Sequence, residues 1–202
     1  MRHGQSEWNA RNLFTGRADP GLTAIGEREA VRAGRLLNAH GLLPGLAHTS
    51  LQRRAVRSTE LALTACDRGW IPVRRSGQLN GRDYGALQGR NKDEVVREYG
   101  NEQVQLWRRS YAVAPPGGES LRDVTARLLP YWYGSIVPDL RTGECVLVVS
   151  HGNTLRALIK HLDGIGDEEI AALEVPNGVP MLYDLDPDMS VPLTKGGRCL
   201  VG

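Results

Sequence analysis

The amino-acid sequence predicts an α/β fold in which a mostly parallel central sheet is flanked by helices. Two observations carry this prediction: segments with apolar residues at helical spacing alternate with short apolar runs, and the strongest run leads directly into a helix. A chain of 202 residues can bury roughly 70% of the surface that its unfolded form exposes. We therefore expect one domain over residues 1–202, with residues 80–118 as a cap or substrate-clamp insertion.

The first part of the chain alternates helical and extended segments. Apolar residues at helical spacing predict a helix over Glu27–His40, and Gly41 ends it. Thr49 and Ser50 are predicted to cap the next helix. Trp70–Val73 is predicted to form a short strand.

The middle of the chain combines a loop with three helices. Residues 80–91 are rich in Gly, Asn and Gln, a composition typical of a functional loop. Two helices are predicted over Asp93–Tyr99 and Glu102–Tyr111, and Ala114–Gly118 is the clearest break in the chain. A further helix is predicted over about Ser120–Tyr133, with the serine as its cap.

The strongest predicted strand is Cys145–Ser150, because its uninterrupted apolar run is typical of buried parallel strands. It leads through His151-Gly152-Asn153 into a helix over Thr154–His161. Met181–Asp186 is predicted as a last short strand. In a parallel sheet of this kind, ligands bind at the carboxyl ends of the strands.

Composition excludes several functional classes. Lys and Arg number 25 and Asp and Glu number 23, so the net charge of +2 argues against a strongly basic nucleic-acid-binding protein. No apolar run approaches the roughly 18 residues that span a bilayer, and the polar N-terminus does not resemble a signal peptide. Cys66, Cys145 and Cys199 lie far apart and support neither a disulfide framework nor a zinc site. We expect a cytoplasmic protein with no nucleic-acid or membrane partner.

Two histidines, His3 and His151, are the candidate chemical groups. Each is followed by glycine, which lets the backbone approach a ligand closely. A neutral imidazole can attack phosphorus and then leave as a phosphohistidine. Either histidine alone is as well explained by a structural role, but together with their polar neighbours they predict phosphoryl transfer.

Several short motifs occur in a fixed order along the chain. They are Arg2-His3-Gly4 with Ser6, Trp8 and Asn9, then Phe14–Gly16, Thr49–Ala55, Asp83–Gly89, Trp107–Tyr111, Pro130–Trp132 and His151–Leu158. The first motif resembles the signature of the histidine phosphatase superfamily. The whole series resembles the 2,3-bisphosphoglycerate-dependent phosphoglycerate mutases within it. An isolated Arg-His-Gly is a weak signal, whereas the series in this order is specific.

The resemblance implies how the phosphoryl group is handled. His3 would be the nucleophile that carries it. Arg2, Arg54 and His151 would surround the equatorial oxygens, over which the transition state spreads its charge. The residues implied to bind the substrate are Asn9, Thr15, Gly16, Tyr84, Lys92, Arg108, Arg109 and Asn153.

The same resemblance implies the ligands. The substrate would be a small phosphorylated three-carbon acid, with 2,3-bisphosphoglycerate as phosphoryl primer, and a homo-oligomer is possible. We expect no metal, because Arg and His supply the positive charge and no cluster of carboxylates offers the oxygen ligands that Mg²⁺ prefers. Simple phosphatases of the superfamily generally lack the clamp of residues between Tyr84 and Arg109.

This chain departs from the mutase pattern at several positions. The pattern has a Glu where this chain has Gly81, and that Glu is generally taken as the acid that protonates the departing alkoxide. Asp83 is the candidate replacement, if the backbone permits a displacement of two residues. The loop before Glu119 is shorter than in common mutases, which would open the cleft to water, and Arg17 replaces an expected Trp.

The N-terminal region is a further departure. In the superfamily, a central apolar strand leads into the Arg-His-Gly turn, whereas here Met1 directly precedes Arg2. We therefore expect the first central strand to be missing from the given chain and the sheet to contain a gap. A start codon assigned too late is the explanation that we favour over a degenerate protein.

Three functions remain open at this point. The first is a mutase that interconverts 2-phosphoglycerate and 3-phosphoglycerate through a phosphohistidine. The second is a phosphatase acting on a small phosphorylated metabolite, favoured by Gly81 and the short loop and opposed by the retained clamp. The third is a catalytically weakened binding homologue, favoured by the absent Glu and the missing strand.

Overall fold

A three-stranded parallel sheet forms the centre of the computed structural model, which describes residues 1–186, 188, 192–193 and 196–200. Its strands are β1 (Leu46–Thr49), β2 (Val73–Arg75) and β3 (Val146–Val149), in the order β2-β1-β3. Two further strands, β4 (Met181–Leu182) and β5 (Arg198–Cys199), form an antiparallel pair.

Helices surround the sheet. Within the described ranges they are α1 (Glu7–Ala10), α2 (Ala24–Ala39), α3 (Arg53–Ala65), α4 (Lys92–Tyr99), α5 (Asn101–Arg109), α6 (Leu121–Tyr131), α7 (Val137–Leu140) and α8 (Gly152–Asp163). A π-helical turn over Trp132–Ile136 joins α6 to α7, and single 3₁₀ turns cover Gly77–Leu79, Gly85–Leu87 and Glu169–Ala172. The alternation of helices with parallel strands confirms the predicted α/β fold.

The two central strands end at the same edge of the sheet. β1 and β3 pair in parallel from Leu46 opposite Val146 to Thr49 opposite Val149. The chain leaves β1 through Ser50 towards α3, and it leaves β3 through His151 towards α8. Because parallel strands bring their carboxyl ends together, the residues that follow each strand meet at this edge.

The core has a layer on each face of the sheet. On one face, α2 and α3 pack against β1 and β3 through small and branched residues such as Ala33, Ala62 and Leu63. On the other face, α6 and α8 pack through residues such as Leu128 and Leu158. All four residues of β1 are buried, as expected for a strand covered by helices on both sides.

A separate cluster of buried residues lies in the segment predicted to be a cap. It consists of Phe14, Leu87, Val95, Val104 and Trp107, so α4 and α5 pack around Phe14 and not against the sheet. Across the described part of the chain, no helix is both long and apolar enough to cross a membrane.

The first three residues continue the sheet beyond β3. Arg2 forms a parallel bridge with Ser150 on one side and with Asn177 on the other. The His3 N–H donates to the Ser150 carbonyl at 3.0 Å, and the Gly178 N–H donates to the Arg2 carbonyl at 3.1 Å. Residues 1–3 therefore lie as the end of a strand between β3 and the segment before β4.

An apolar cavity of about 600 Å³ extends from Met1 between β3 and β4. Val146, Val148, Met181 and Leu200 are among the residues that line it. Within the described residues no strand pairs with β3 along this edge except at residues 1–3, so the sheet is interrupted here, as predicted.

Three predicted elements are corrected by the structure. Thr49 does not cap a helix: it is the last residue of β1, and its hydroxyl donates to the Val149 carbonyl at 3.1 Å. Helix α3 begins at Arg53, after Gln52, without a side-chain cap.

The second strand begins at Val73, opposite Ala47, and not at Trp70. The Ile71 N–H donates to the Arg68 carbonyl, so Trp70 and Ile71 lie in a turn and not in the strand. The last predicted strand, Met181–Asp186, is shortened to Met181–Leu182, the only two residues of that run that pair with β5.

Candidate active site

A cationic cleft of about 280 Å³ lies at the carboxyl ends of β1 and β3. It brings together all but one of the site residues predicted from the sequence. Those that line it are Arg2, His3, Asn9, Thr15, Gly16, Arg54, Tyr84, Lys92, Arg108, Arg109, His151 and Asn153. The exception is Asp83.

His3 is buried at the end of the short N-terminal strand. Its Nδ1 lies 2.6 Å from the Gly4 carbonyl, which can only accept, so Nδ1 carries the proton and Nε2 keeps its lone pair. Burial, followed by the positive charges of Arg54 and Arg2, holds the pKa of His3 well below its ordinary value. A Cβ on Gly4 would lie 2.1 Å from the Gly26 carbonyl, so only glycine fits beside this histidine. The result is a neutral imidazole, the form that can act as a nucleophile.

His151 faces His3, with ring centroids 4.9 Å apart. The Ser50 hydroxyl lies 2.9 Å from His151 Nε2 and also accepts the Gln52 N–H at 3.2 Å. If the hydroxyl proton is donated to Nε2, the proton of the neutral ring is on Nδ1, which is buried and has no protein partner. Burial, and then Arg54, lowers the pKa of His151 well below its ordinary value. In that tautomer, the Nδ1–H of His151 is a hydrogen-bond donor without a protein partner on a residue that lines the cleft.

Arg2 and Arg54 supply positive charge in the same cleft as the two histidines. Arg2 donates to the Val175 carbonyl at 3.0 Å, and Arg54 donates to the carbonyls of Ala18 and Gly16 at 2.8 and 3.2 Å. The Nε atoms of both arginines are buried without a protein partner. Burial lowers the pKa of Arg54 to about 10, so it remains charged at neutral pH. Such fixed, unpaired N–H groups suit a phosphoryl oxygen.

The segment between residues 80 and 118 supplies a second group of cations. Tyr84 accepts a hydrogen bond from Asn153 Nδ2 at 3.0 Å, and the Arg82 guanidinium lies 4.6 Å from its ring. Burial alone would raise the pKa of Tyr84, but Arg82 and the Asn153 hydrogen bond outweigh it and lower the pKa to about 8. Burial, and then Arg108, lowers the pKa of Lys92.

Three charged lining residues were not predicted as site residues. Arg82 and Arg156 are buried, and Arg156 donates to Asn153 Oδ1 at 3.0 Å, which orients that amide. Glu174 forms an ion pair with Arg109 at the rim of the cleft. Arg156 follows Asn153 by one helical turn, a spacing that offered a signal, whereas nothing in the sequence distinguishes Glu174 from other exposed acidic residues.

Asp83 lies outside the cleft, contrary to the role suggested for it. Its carboxylate accepts the Gly85 N–H at 2.8 Å and pairs with Arg17 Nε at 3.0 Å. Its backbone N–H donates to Glu119 at 2.9 Å, which fixes this orientation. The two-residue displacement therefore does not bring the carboxylate to the position of Gly81.

Gly81 itself lies against the cationic end of the cleft. Its N–H donates to Gln52 Oε1 at 2.8 Å. A Cβ at this position would lie 3.2 Å from Gln52 Oε1 and from the Gly16 carbonyl, and 3.3 Å from an Arg54 nitrogen. A side chain here would enter the cleft beside Arg54 after shifts of a few tenths of an ångström.

The charge distribution of the cleft favours an anion with several negative charges. Throughout the described residues, no group of three or more His, Cys, Asp or Glu side chains is arranged to hold a metal ion. The buried side-chain nitrogens of the described cleft lining that lack protein partners belong to Arg2, Arg54, Arg82, His151 and Arg156. These donors match the oxygens of phosphate and carboxylate groups.

Comparisons with known proteins agree with this chemistry. The 2,3-bisphosphoglycerate-dependent phosphoglycerate mutase of Streptomyces griseus is 53% identical over 225 residues, covering 99% of this chain and 88% of the relative. The enzyme of the same name from Mycobacterium tuberculosis H37Ra is 52% identical over 223 residues, covering 99% and 89%. These alignments are longer than the chain, so the relatives carry residues that it lacks.

Solved structures with the same fold include phosphatases. A mycobacterial glucosyl-3-phosphoglycerate phosphatase in complex with inorganic phosphate superposes with a TM-score of 0.80 at 26% identity, covering 99% of this chain and 93% of that one. Bacillus stearothermophilus YhfR gives a TM-score of 0.81 at 27% identity, covering 96% and 94%. The family model of the histidine phosphatase superfamily (branch 1) matches residues 1–191, and the chain belongs to this superfamily.

Proposed function

We propose that the protein is a 2,3-bisphosphoglycerate-dependent phosphoglycerate mutase, which interconverts 2-phosphoglycerate and 3-phosphoglycerate through a phosphohistidine. One observation carries the proposal: the cleft joins a His3–His151 pair to a second group of cations from residues 80–118. A single phosphate needs only the first group. A phosphoglycerate also carries a carboxylate, which the second group would bind. The names of the relatives that are about 50% identical support the same conclusion.

The proposed reaction has two phosphoryl transfers on His3. A free hydroxyl oxygen of the bound phosphoglycerate attacks the phosphorus of phosphorylated His3, the P–N bond breaks, and Nε2 recovers its lone pair. The hydroxyl proton is released. In the return step, Nε2 attacks the other phosphate, the P–O bond breaks, and the departing alkoxide takes up a proton. The two steps together move the phosphoryl group between adjacent carbons.

The protein groups would act on the charge of the transition state. Arg2, Arg54 and His151 Nδ1 would donate to the equatorial oxygens, and their fixed positions avoid reorganisation during the reaction. Lys92, Arg108 and Arg109 would bind the carboxylate and hold the substrate while it is reoriented. Residues 80–118 would thus act as the cap of a single domain.

The primer fits the same groups. The buried Nε atoms of Arg2 and Arg54, and Nδ1 of His151, lack protein partners and would bind one phosphate of 2,3-bisphosphoglycerate. When bound, this compound supplies the phosphoryl group with which the enzyme is first loaded. No metal is required in the proposed reaction, because arginine and histidine provide the positive charge.

A phosphatase of the same superfamily is the second candidate, and Gly81 is the observation that favours it. The cleft has no carboxylate at Gly81, and the chain is short between Ala114 and Gly118, so water would reach His3 more easily. The structural neighbour named as a glucosyl-3-phosphoglycerate phosphatase adds support.

The test is to follow 3-phosphoglycerate by phosphorus NMR, with and without a catalytic amount of 2,3-bisphosphoglycerate. We expect 2-phosphoglycerate to form only after priming, without stoichiometric release of phosphate. Arg108→Gln should raise KM at least about tenfold, because it removes a charge-assisted contact. Arg97→Gln, on the outer face of α4, is the matched control. Accumulation of free phosphate alone, or no reaction after priming, would overturn the proposal.

A further inference from the structure

The cationic cleft contains one carboxylate among its described lining residues, that of Glu174. The same lining includes seven cationic side chains, namely Arg2, Arg54, Arg82, Lys92, Arg108, Arg109 and Arg156. A negative charge in a cleft that binds anions opposes ligand binding, so its presence calls for a specific explanation.

Glu174 is directed at one of these cations. Its carboxylate pairs with Arg109, whose side chain is 28% exposed, while that of Glu174 is 74% exposed. Arg109 also lies 3.5 Å from the Leu173 carbonyl, so its guanidinium is held towards the 173–174 segment. The backbone of Arg109 is fixed by a hydrogen bond from Arg156 to its carbonyl at 2.9 Å. The backbone of Arg109 is therefore held in place, and Glu174 competes with a bound ligand for its guanidinium group.

Glu174 influences several cations of the cleft. Burial lowers the pKa of Arg2, and the charges of Tyr84 and Glu174 oppose that shift. After burial, the charges that alter the pKa of His3 are those of Arg54 and Arg2. Burial also dominates the pKa of Arg156, which Glu174 raises and Arg109 lowers. Among the described residues, Arg109 is the cation with which Glu174 forms an ion pair, and Arg109 belongs to the group of cations that is proposed to bind the substrate carboxylate.

We propose that Glu174 is a specificity-determining residue, which competes with the carboxylate of the substrate for Arg109. It weakens binding of ligands that carry a negative charge at Arg109 and leaves ligands without that charge unaffected. The proposal rests on the proposed function only in placing the substrate carboxylate at Arg109.

The exposure of Glu174 makes this competition reversible. An exposed ion pair is weak, because water and salt screen it, so a substrate carboxylate can displace Glu174 at modest cost. The cost falls only on ligands that need Arg109. Two ligands that share the phosphate but differ at the other end therefore separate the effect of Glu174 from general changes in the cleft.

The test is calorimetric measurement of Kd for 3-phosphoglycerate and glycerol 3-phosphate, which carries a hydroxymethyl group in place of the carboxylate. Glu174→Gln should lower Kd for 3-phosphoglycerate about threefold to fivefold. It should leave Kd for glycerol 3-phosphate within about twofold. Glu174→Asp, which keeps the charge, should stay closer to the parent. Glu168→Gln removes an equal charge from the adjoining exposed turn and should change neither value.

Equal changes for both ligands, an unchanged ratio in Glu174→Gln, or the same shift in Glu168→Gln would overturn the proposal. These binding constants do not depend on turnover. A shifted ratio in a protein that forms no 2-phosphoglycerate would support the role of Glu174 and refute the mutase function.

Discussion

The two cavities on either side of residues 1–3 differ in volume and in the chemistry of their linings. The cationic cleft, about 280 Å³, is lined by arginines, histidines and amides, several of whose buried nitrogens lack a protein partner. The apolar cavity, about 600 Å³, is lined mostly by aliphatic side chains and lies where the sheet is interrupted.

This contrast shows that the residues of the cleft and those of the apolar cavity have different roles in the fold. Each wall of the cleft is fixed by specific hydrogen bonds, such as those from Arg54 to the backbone of Gly16 and Ala18. The described lining of the cavity is mostly aliphatic, so it resembles the core apart from the packing that it lacks. Changes in the cleft should therefore alter turnover, whereas changes in the cavity should alter the free energy of unfolding.

The largest expected effect is on the nucleophile. His3→Ala should abolish phosphorylation by 2,3-bisphosphoglycerate and reduce turnover by about 10⁴-fold or more, because no other group can carry the phosphoryl. The parent should give a phosphoprotein that is labile in acid and stable in base. His161→Ala, which removes a histidine far along α8, should label normally. Persistent labelling of His3→Ala would refute the assignment.

The next largest effect is expected at Gly81, where the mutase pattern has a Glu and this chain has no carboxylate. Gly81→Glu should raise turnover within the 10²–10⁴ range of a positioned acid, because a side chain at Gly81 enters the cleft beside Arg54. Asp83→Asn should leave turnover nearly unchanged, because that carboxylate pairs with Arg17 outside the cleft. Steady-state rates and thermal unfolding should be measured together. A well-folded Gly81→Glu variant with no gain in turnover would contradict the prediction that the missing acid limits turnover.

A moderate effect is expected from the apolar cavity. An apolar extension of about five residues before Met1 should enter it beside β3 and raise the free energy of unfolding by about 3 kcal/mol, after the entropy of ordering is subtracted. Urea unfolding measures this change. A Gly-Ser extension of equal length is the control. Equal stability of the two extended chains would show that the cavity is not a place for a strand.

The smallest effect is a pH dependence that originates in the cleft. The pKa of His151 is lowered by burial, so below about pH 6.5 the unfolded chain binds a proton that the folded chain does not, and stability falls as pH decreases. His151→Asn should reduce the stability difference between pH 7.5 and 5.5 by about 1 kcal/mol. Other groups with lowered pKa values, such as His48, are present in both proteins, so their contributions cancel when the two stability differences are compared. An unchanged difference in urea unfolding would contradict the assignment.

The sequence was informative where a site residue belongs to a contiguous motif. His151 follows a predicted strand, and the resemblance to the histidine phosphatase superfamily implied that His3 lies opposite it, so their meeting could be expected from the sequence. Asp83 could not be placed in this way, because the direction of its side chain depends on hydrogen bonds from Gly85 and Arg17. Glu174 entered the cleft through the packing of a loop that no periodicity describes.

The strands, too, were predictable from the sequence in one place and not in another. The strand before His151 was predicted nearly to the residue, because a run of four branched or long aliphatic side chains has few alternatives. Trp70 was predicted to begin a strand, yet the residue is 73% exposed and the strand begins only at Val73. The turn that joins Arg68 to Ile71 precedes the strand and delays its start.

The position of His3 also has a consequence for biosynthesis. His3 is translated well before the residues that hold it, because its N–H donates to the Ser150 carbonyl and its own carbonyl accepts from Asn177. A nascent chain shorter than about residue 178 therefore lacks the contacts that place the nucleophile, since domains fold as units. Catalytic competence arrives late in translation, and a truncated product would carry the whole Arg-His-Gly turn without an assembled site around it.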